Sequence, residues 1–298
     1  MTATVPVTTD RTTLPMPTRP LGRTGWNASV LTLGGVKWDT FIPEAEAVRL
    51  IQRAVELGVN CIDTAAGYGE GRSETRLGLA LAGLRDRVFV STKTGKRDYD
   101  GARREVDQSL QRLRTDHIDL YLVHGLDNDE DYAKVASRTG VLRALEEYKA
   151  AGQVRHIGVS GHWYRHNMLR LVQEYPFDAI LCPAGLFNLA YEYNYAQDVV
   201  PAARQRGMAV MGMKVMGAGR AKHAASIEPY LRYSLHQPYD TLVIGCDSIE
   251  QLEQLVEITK RQPPPLSQSE IAALLPEAIR ITQSWDKGEF NWVKHYVQ

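Results

Sequence analysis

Three neighbouring predicted strands are each followed by side chains that can take part in proton transfer. Asp63 and Tyr68 come after the second predicted strand, Lys93 ends the third, and His124 follows the fourth. Taken singly, an aspartate after a strand is usually a turn or capping residue, and a lysine there is usually solvated. Parallel strands bring their carboxyl ends to one edge, where barrel enzymes place their active sites. The four residues together therefore predict a catalytic site at that edge.

The chemistry that suits these residues is general acid catalysis at a carbonyl oxygen. A tyrosine has an ordinary pKa of about 10, and a neighbouring ammonium group lowers it by favouring the phenolate. Asp63 would keep Lys93 charged and in place, and a histidine on the opposite wall would hydrogen-bond the carbonyl oxygen. None of these groups supplies a hydride, so a redox reaction requires a cofactor. Lys93 could instead form a Schiff base, although Asp63 and Tyr68 favour the proton-transfer interpretation.

Short apolar runs rich in β-branched residues alternate with amphipathic stretches along most of the chain. This pattern is typical of buried parallel strands and the helices that cover them. Gly58, Gly152 and Gly207 each follow a helical stretch and are expected to end it in the left-handed conformation. The predicted strands span residues 30–33, 59–62, 88–91, 118–123, 156–159, 179–182, 209–213 and 241–244. The predicted helices lie near residues 43–57, 73–83, 101–114, 134–151, 164–174, 195–206, 227–236 and 249–261.

Eight strand–helix units fit either a (β/α)8 barrel or a doubly wound sheet. A dinucleotide-binding doubly wound sheet should carry GxGxxG directly after its first strand, whereas residues 33–38 read LGGVKW. We therefore expect an α/β protein with a single (β/α)8 TIM barrel domain over residues 21–262. Residues 1–20, rich in threonine and proline, are expected to form a flexible arm. Residues 263–298 should form a helix near 267–282 and an aromatic tail, which packs on the barrel exterior or lines the substrate pocket.

The composition excludes several classes of protein. The 298 residues balance 35 Lys and Arg against 35 Asp and Glu, which argues against a nucleic-acid or polybasic membrane binder. No apolar run approaches the roughly 18 residues of a membrane span. The three cysteines form no CxxC pair, so we expect neither disulfides nor a zinc site, and we place the protein in the reducing cytoplasm. His162 and His166 share a helix face, but without an HExxH motif we expect no metal.

Several motifs, in order between residues 21 and 261, resemble those of the aldo-keto reductase family. They read GRTG at 22–25, DTAAGYG at 63–69, VSTK at 90–93, DLYLVH at 119–124 and IGVS at 157–160. The resemblance implies a (β/α)8 barrel that binds a nicotinamide cofactor without a Rossmann domain. It also implies that Tyr68 is the acid, that Lys93 and Asp63 tune it, and that His124 orients the substrate. We expect Trp38, in the first loop, to contact the substrate together with His124.

The sequence departs from the common family pattern where the nicotinamide is expected to bind. Gly161 and then His162 stand where an asparagine is usual, Leu181 replaces a glutamine, and Met213 replaces a stacking aromatic residue. The run MKVMGAG at 213–219 is similar to that of a bacterial branch of the family. The residues expected to bind the cofactor are Ser160, Met213, Lys214, Gly217, Gly219, Gly245, Asp247, Gln251 and Gln254.

The eighth loop bears on the choice of cofactor. Residues 245–248 read GCDS, with no basic residue at the positions that would clamp a 2′-phosphate, and Asp247 would repel one. The family resemblance nevertheless favours NADP, with NAD as the alternative. The leading hypothesis is an NAD(P)-dependent oxidoreductase acting on an aldehyde, ketone or sugar, with Tyr68 as general acid or base. The alternative is a non-catalytic or regulatory protein that keeps the barrel and binds the cofactor or a partner.

Overall fold

The computed structural model describes residues 14–38, 42–126, 128–162, 164–190 and 194–283. Eight parallel strands close into a barrel in which β10 pairs with β3, and every other strand pairs with its neighbour in sequence. A two-stranded antiparallel hairpin, β1 and β2, precedes the barrel. The predicted (β/α)8 fold is therefore confirmed. The strands are β1 (Thr18–Pro20), β2 (Asn27–Ser29), β3 (Leu31–Gly34), β4 (Cys61–Asp63), β5 (Phe89–Thr94), β6 (Ile118–Val123), β7 (Val154–Ser160), β8 (Ala179–Pro183), β9 (Ala209–Met213) and β10 (Thr241–Gly245).

The helices surround the barrel and pack their apolar faces on its strands. Gly58, Gly152 and Gly207 have φ of 96°, 78° and 68°, which confirms the predicted left-handed helix ends. Within the described ranges, no helix combines the length and the apolar character needed to cross a bilayer. The helices are α1 (Glu44–Glu56), α2 (Arg72–Ala80), α3 (Tyr99–Leu113), α4 (Asp129–Ala136), α5 (Val141–Ala150), α6 (Arg165–Glu174), α7 (Val199–Gln205), α8 (Glu228–Leu235), α9 (Ile249–Arg261) and α10 (Gln268–Gln283).

The stretch 134–151, predicted as one helix, is in fact two. Asn128 caps α4 by accepting a hydrogen bond from the Asp131 amide at 2.8 Å, so the first helix begins earlier than expected. The chain then leaves the helical conformation at Arg138, whose φ is 59°. A side chain at Gly140 would lie 2.2 Å from the Arg97 carbonyl oxygen, so this turn packs directly against another loop. Tertiary contact, rather than local propensity, sets the break.

The residues just before the barrel form a hairpin, where a flexible arm over 1–20 was expected. Thr18 pairs with Ser29 and Pro20 with Asn27, and Met16 is buried. Arg19 donates hydrogen bonds to the carbonyl oxygens of Tyr239 (2.7 Å) and Leu235 (2.6 Å). The prediction was wrong for residues 14–20, because three-residue strands leave too short a pattern to recognise. Residues 1–13 lie outside the described part of the chain.

A repeated set of hydrogen bonds ties the amino ends of the barrel strands together. In each case a side-chain oxygen at or just before β4, β6, β8 or β10 accepts a backbone N–H. The N–H belongs to a residue at or beside the preceding barrel strand, and the distances are 2.6–2.9 Å. The accepting residues, which we call the amino-end ring, are Asn60, Asp119, Asp178 and Asp240. The donating amides belong to Ser29, Val90, Ile157 and Val210 respectively.

Each aspartate of the amino-end ring also pairs with a basic side chain that reaches in from the surface. Asp119 contacts Arg85 at 2.7 Å and Arg155 at 2.8 Å. Lys149 lies 2.5 Å from Asp178, and Arg204 lies 2.5 Å from Asp240. These carboxylates are thus bonded on both sides. Because barrel enzymes place their active sites at the opposite, carboxyl end, these contacts serve stability rather than catalysis.

Helix α10 lies over the carboxyl-end loops, as the predicted helix near 267–282 suggested. Ala278 and Ile281 are buried against Phe187 and Tyr230, whose rings stack with centroids 4.6 Å apart. The Tyr230 hydroxyl donates a 2.6 Å hydrogen bond to Glu277. The helix therefore supports the loops that follow β8 and β9. The aromatic tail, residues 284–298, lies outside the described residues.

Candidate active site

A cavity of about 500 Å³ opens at the carboxyl ends of the barrel strands. Asp63, Tyr68 and His124 line it, and Lys93 lies directly beneath Tyr68. The structure therefore brings together all four residues predicted from the strand ends. Barrel geometry explains this, since β4, β5 and β6 are adjacent parallel strands whose carboxyl ends lie at the same end of the barrel.

Lys93 is the centre of the cavity floor. Its ammonium nitrogen donates to Asp63 Oδ2 and to the Thr64 carbonyl oxygen, both at 2.6 Å, and to the Tyr68 hydroxyl at 3.4 Å. Ser91 donates to the other Asp63 oxygen at 2.6 Å. Burial alone would lower the pKa of Lys93, but Asp63 and Tyr68 outweigh it and raise that pKa above its usual value. Lys93 is therefore a fixed positive charge with one contact directed toward the cavity.

Tyr68 and His124 face each other across the cavity. Their rings meet edge to face, with centroids 5.7 Å apart and an interplanar angle of 82°. Removal of the imidazole from water, with the positive charges of Lys93 and Arg97, lowers the pKa of His124 to about 3. The ring is therefore neutral at any working pH and can hydrogen-bond an uncharged oxygen. The arrangement offers a phenol, backed by an ammonium, and a neutral imidazole on either side of one position.

The loop after β9 forms the opposite wall. Met213, Lys214 and Gly219, which were expected to bind the cofactor, line the cavity, and Gly245 lines it from the end of β10. Gly219 has φ of 90°, and a side chain there would point toward the Lys37 ammonium group at 3.8 Å. The bare backbone and the two lysines suit an anionic group such as a diphosphate. Gly217 is held under the Phe187 ring and does not line the cavity.

Trp38 and Ser160, which were expected to contact ligands, have buried side chains that do not line the cavity. Trp38 was assigned to the substrate, but its side chain is 0% exposed and its indole N–H donates to the Gly34 carbonyl at 2.6 Å. Ser160 was assigned to the cofactor, but its buried hydroxyl accepts the Gly125 amide at 3.0 Å. Both residues lie at the carboxyl end of the barrel, but their side chains point away from the cavity, a direction that a strand boundary does not define.

The predicted cofactor residues of the eighth loop lie on the rim. Asp247 and Gln251 are exposed near the start of α9, and the Asp247 amide donates to Gln251 Oε1 at 3.3 Å. Gln254 is exposed one turn further along the helix. None of the three belongs to the residues that line the cavity. Their assignment to the cofactor stays a prediction.

The structure adds two polar residues to the cavity that were not assigned to it, Lys37 and His162. A side chain at Gly161 would lie 2.7 Å from the terminal carbon of Met168, so His162 is the first residue after β7 that can reach the cavity. Loss of hydration, then the charge of Lys214, lowers the pKa of His162 well below its usual value. Across the described ranges, no three His, Cys, Asp or Glu side chains converge to hold a metal.

Comparison with known proteins agrees with this geometry. An uncharacterized oxidoreductase of Bacillus subtilis, YqkF, is 26% identical over 287 residues, which cover 89% of this chain and 88% of that protein. Pyridoxal 4-dehydrogenase of Microbacterium luteolum is 28% identical over 246 residues, covering 67% of this chain and 71% of that enzyme.

A solved structure has the same fold. An aldo-keto reductase from Klebsiella pneumoniae in complex with NADPH superposes with a TM-score of 0.72 at 22% identity, covering 89% of this chain and 95% of that one. The sequence model of the aldo/keto reductase family matches residues 30–231, which include the four residues at the cavity floor and its wall. The chain belongs to the aldo/keto reductase family.

Proposed function

We propose that the protein is an NADP-dependent oxidoreductase that interconverts a carbonyl group and an alcohol, with Tyr68 as the general acid and base. The observation that carries this proposal is the hydrogen-bonded series from Asp63 through Lys93 to Tyr68 at the cavity floor. Its last member is a hydroxyl facing the cavity. Related proteins that act as oxidoreductases support the reaction class.

The residues that line the cavity fit the cofactor. Lys214 and Lys37 would face its diphosphate, the bare backbone at Gly219 and Gly245 would allow close approach, and Met213 would pack on the nicotinamide ring. NADP, when bound, supplies a hydride to the carbonyl carbon or accepts one from the alcohol. The NADPH complex of the Klebsiella pneumoniae structure supports NADP over NAD. We propose that Asp247, Gln251 and Gln254, on the rim, contact the adenosine end of the cofactor. Because none of them is basic and could clamp a 2′-phosphate, NAD is the alternative cofactor.

The chain's own residues handle the proton. As the carbonyl carbon gains a hydride, its oxygen gains the Tyr68 proton, and the phenolate left behind is stabilised by the Lys93 ammonium at 3.4 Å. Asp63 holds that ammonium in place, and neutral His124 orients the oxygen by a hydrogen bond. In the oxidative direction the same phenolate takes the alcohol proton. The substrate class is a small aldehyde, ketone or sugar.

The deciding experiment pairs a binding assay with a turnover assay. Purified protein is titrated with NADPH and NADH while tryptophan fluorescence is followed, and aldehydes, including pyridoxal, and sugars are screened for turnover. For Tyr68→Phe we expect turnover to fall about 10²- to 10⁴-fold, with cofactor affinity unchanged within about twofold. Turnover that survives this substitution would contradict the role of Tyr68.

The same assays separate the non-catalytic alternative. Cofactor binding without turnover of any substrate would favour a regulatory binder, for which the replacements Leu181 and His162 near the expected nicotinamide site would be the reason. Absence of binding at millimolar concentration of either cofactor would overturn the oxidoreductase hypothesis and favour a barrel that binds a partner instead.

A further inference from the structure

The backbone at His124 and Gly125 is fixed more completely than a loop usually is. The His124 amide donates to the Thr94 carbonyl at 2.9 Å, and the Gly125 amide donates to Ser160 Oγ at 3.0 Å. Both carbonyl oxygens accept from one nitrogen of Arg97, at 2.8 Å from His124 and 2.6 Å from Gly125. All four polar groups of this dipeptide are therefore bonded to neighbouring loops and strands.

The Arg97 side chain connects these contacts to the rest of the rim. It lies in the loop after β5, and its Nε donates to Asp131 in α4 at 3.0 Å. Its own carbonyl oxygen accepts the Val141 amide at the start of α5, at 3.0 Å. The Arg97 side chain is only 12% exposed, and its hydrogen bonds hold the planar guanidinium in one orientation. Arg97 thus joins the loop after β5, the loop after β6 and the helix that follows it.

The orientation of His124 depends on this arrangement. Gly125 has φ of 65°, and because glycine lacks a side chain this turn is conformationally free unless other groups hold it. The imidazole projects from the residue between that glycine and the end of β6, and its ring meets Tyr68 edge to face. A rotation about the N–Cα bond of His124 would move its carbonyl oxygen away from Arg97 and carry the ring away from Tyr68. The positive charge of Arg97 also opposes protonation of the ring, so it acts on both position and charge.

We propose that Arg97 is a positioning residue for the reaction, which holds His124 in place through the two carbonyl oxygens while Ser160 holds the Gly125 amide. The inference rests on the proposed function, since His124 must orient the substrate for its position to affect turnover. Neither Arg97 nor Ser160 is among the residues that line the cavity. Ser160 therefore supports the site from outside rather than binding the cofactor.

The test compares Arg97→Gln and Arg97→Lys with Arg104→Gln, which removes an exposed arginine of α3 and the same charge. For Arg97→Gln we expect kcat to fall about 10- to 100-fold, since small misplacements of catalytic groups cost this much. Cofactor Kd should stay within twofold. Arg97→Lys should lose less, because one ammonium can satisfy the carbonyl oxygens but not also Asp131. Arg104→Gln should behave as the unsubstituted protein.

A second readout follows the histidine ring itself and does not require turnover. Long-range ¹H–¹⁵N spectra report the ring nitrogens, and His124→Gln identifies the His124 signals by their loss. In Arg97→Gln these signals should shift or broaden, while those of His156, at the amino end of the barrel, should not. If the unsubstituted protein turns over no substrate, the proposed function fails and the spectra still decide the role of Arg97.

Three results would overturn the inference. One is a kcat within twofold of the unsubstituted protein in Arg97→Gln. Another is a parallel fall of kcat, cofactor affinity and melting temperature without partial rescue by lysine, which would show a general structural role. The third is an unchanged His124 signal. If Arg97→Gln does not fold, the kcat and the His124 signals of Arg97→Lys are compared with those of Arg104→Gln instead.

Discussion

The two ends of the barrel both place aspartates of the strands beside buried or half-buried basic groups, yet they use them differently. In the amino-end ring, Asp240 accepts backbone amides with one oxygen and Arg204 with the other, and neither residue lines the active-site cavity. At the carboxyl end, Asp63 is saturated by Ser91 and Lys93, but Lys93 has a further contact with a hydroxyl that lines the cavity. Contacts that involve only groups packed within the protein stabilise the fold. A series of contacts that ends at a hydroxyl in the cavity can exchange a proton.

The difference in exposure has an energetic consequence. Three basic partners of the ring reach in from solvent, with the Arg155, Lys149 and Arg204 side chains 53%, 41% and 37% exposed, so they keep part of their hydration. The Lys93 side chain is 1% exposed and the Asp63 side chain 4%. Desolvation of such a pair can exceed its Coulomb attraction. The Asp63–Lys93 pair is therefore explained by its contact with Tyr68 rather than by stability.

Replacing Lys93 should have the largest effect and would sharpen this contrast. Lys93→Met leaves the Asp63 carboxylate buried without its cation, which should lower the free energy of unfolding by about 3–5 kcal/mol and abolish measurable turnover. The double variant Lys93→Met with Asp63→Leu removes both charges and should recover most of the stability without recovering turnover. Denaturant unfolding and steady-state kinetics measure the two effects. A double variant that regained turnover would show that the pair has no role in the reaction.

A substitution at the other end should give the reverse outcome. Asp240→Asn keeps an oxygen for the Val210 amide but loses the charge that Arg204 meets. Asn60 occupies the equivalent ring position and shows that an amide oxygen suffices for the backbone contact. We expect a loss of about 1–2 kcal/mol in unfolding free energy, with kcat and KM within twofold. A turnover defect out of proportion to the lost stability would break the comparison between the ends.

The smallest effect concerns pH. Because the pKa of His124 falls from about 6.5 to about 3 on folding, the unfolded chain binds a proton that the folded chain does not between these values. This contribution to stability is complete above pH 6.5 and is lost as the pH falls toward 3. His124→Gln should therefore show a shallower decline in unfolding free energy between pH 6.5 and 5.5, by about 1 kcal/mol in total, since one proton contributes at most about 1.4 kcal/mol per pH unit. Identical slopes would indicate that folding does not lower the pKa of His124.

Sequence patterns predicted the fold and the four central residues, because both depend on where strands end. Apolar runs locate the strands, and the barrel then brings Asp63, Lys93 and His124 to the same end of neighbouring strands. The role of Arg97 could not be predicted, since it acts through backbone carbonyl groups. Every residue has such a group, so the sequence does not indicate which ones Arg97 contacts. Trp38 was misplaced for a related reason: its burial depends on how the loop turns after β3, which the sequence pattern does not determine.

The position of α10 also has a consequence for the order in which the site is completed during synthesis. The chain leaves the ribosome amino end first, at about 5–20 residues per second, so all eight barrel strands emerge before Ala278 and Ile281. Until those residues arrive, the Phe187 and Tyr230 rings lack their outer cover, and the loop at Gly217 lacks firm support from behind. A nascent chain can thus close its barrel while its cofactor wall is still unfinished, which makes competence to bind cofactor a late event of biogenesis.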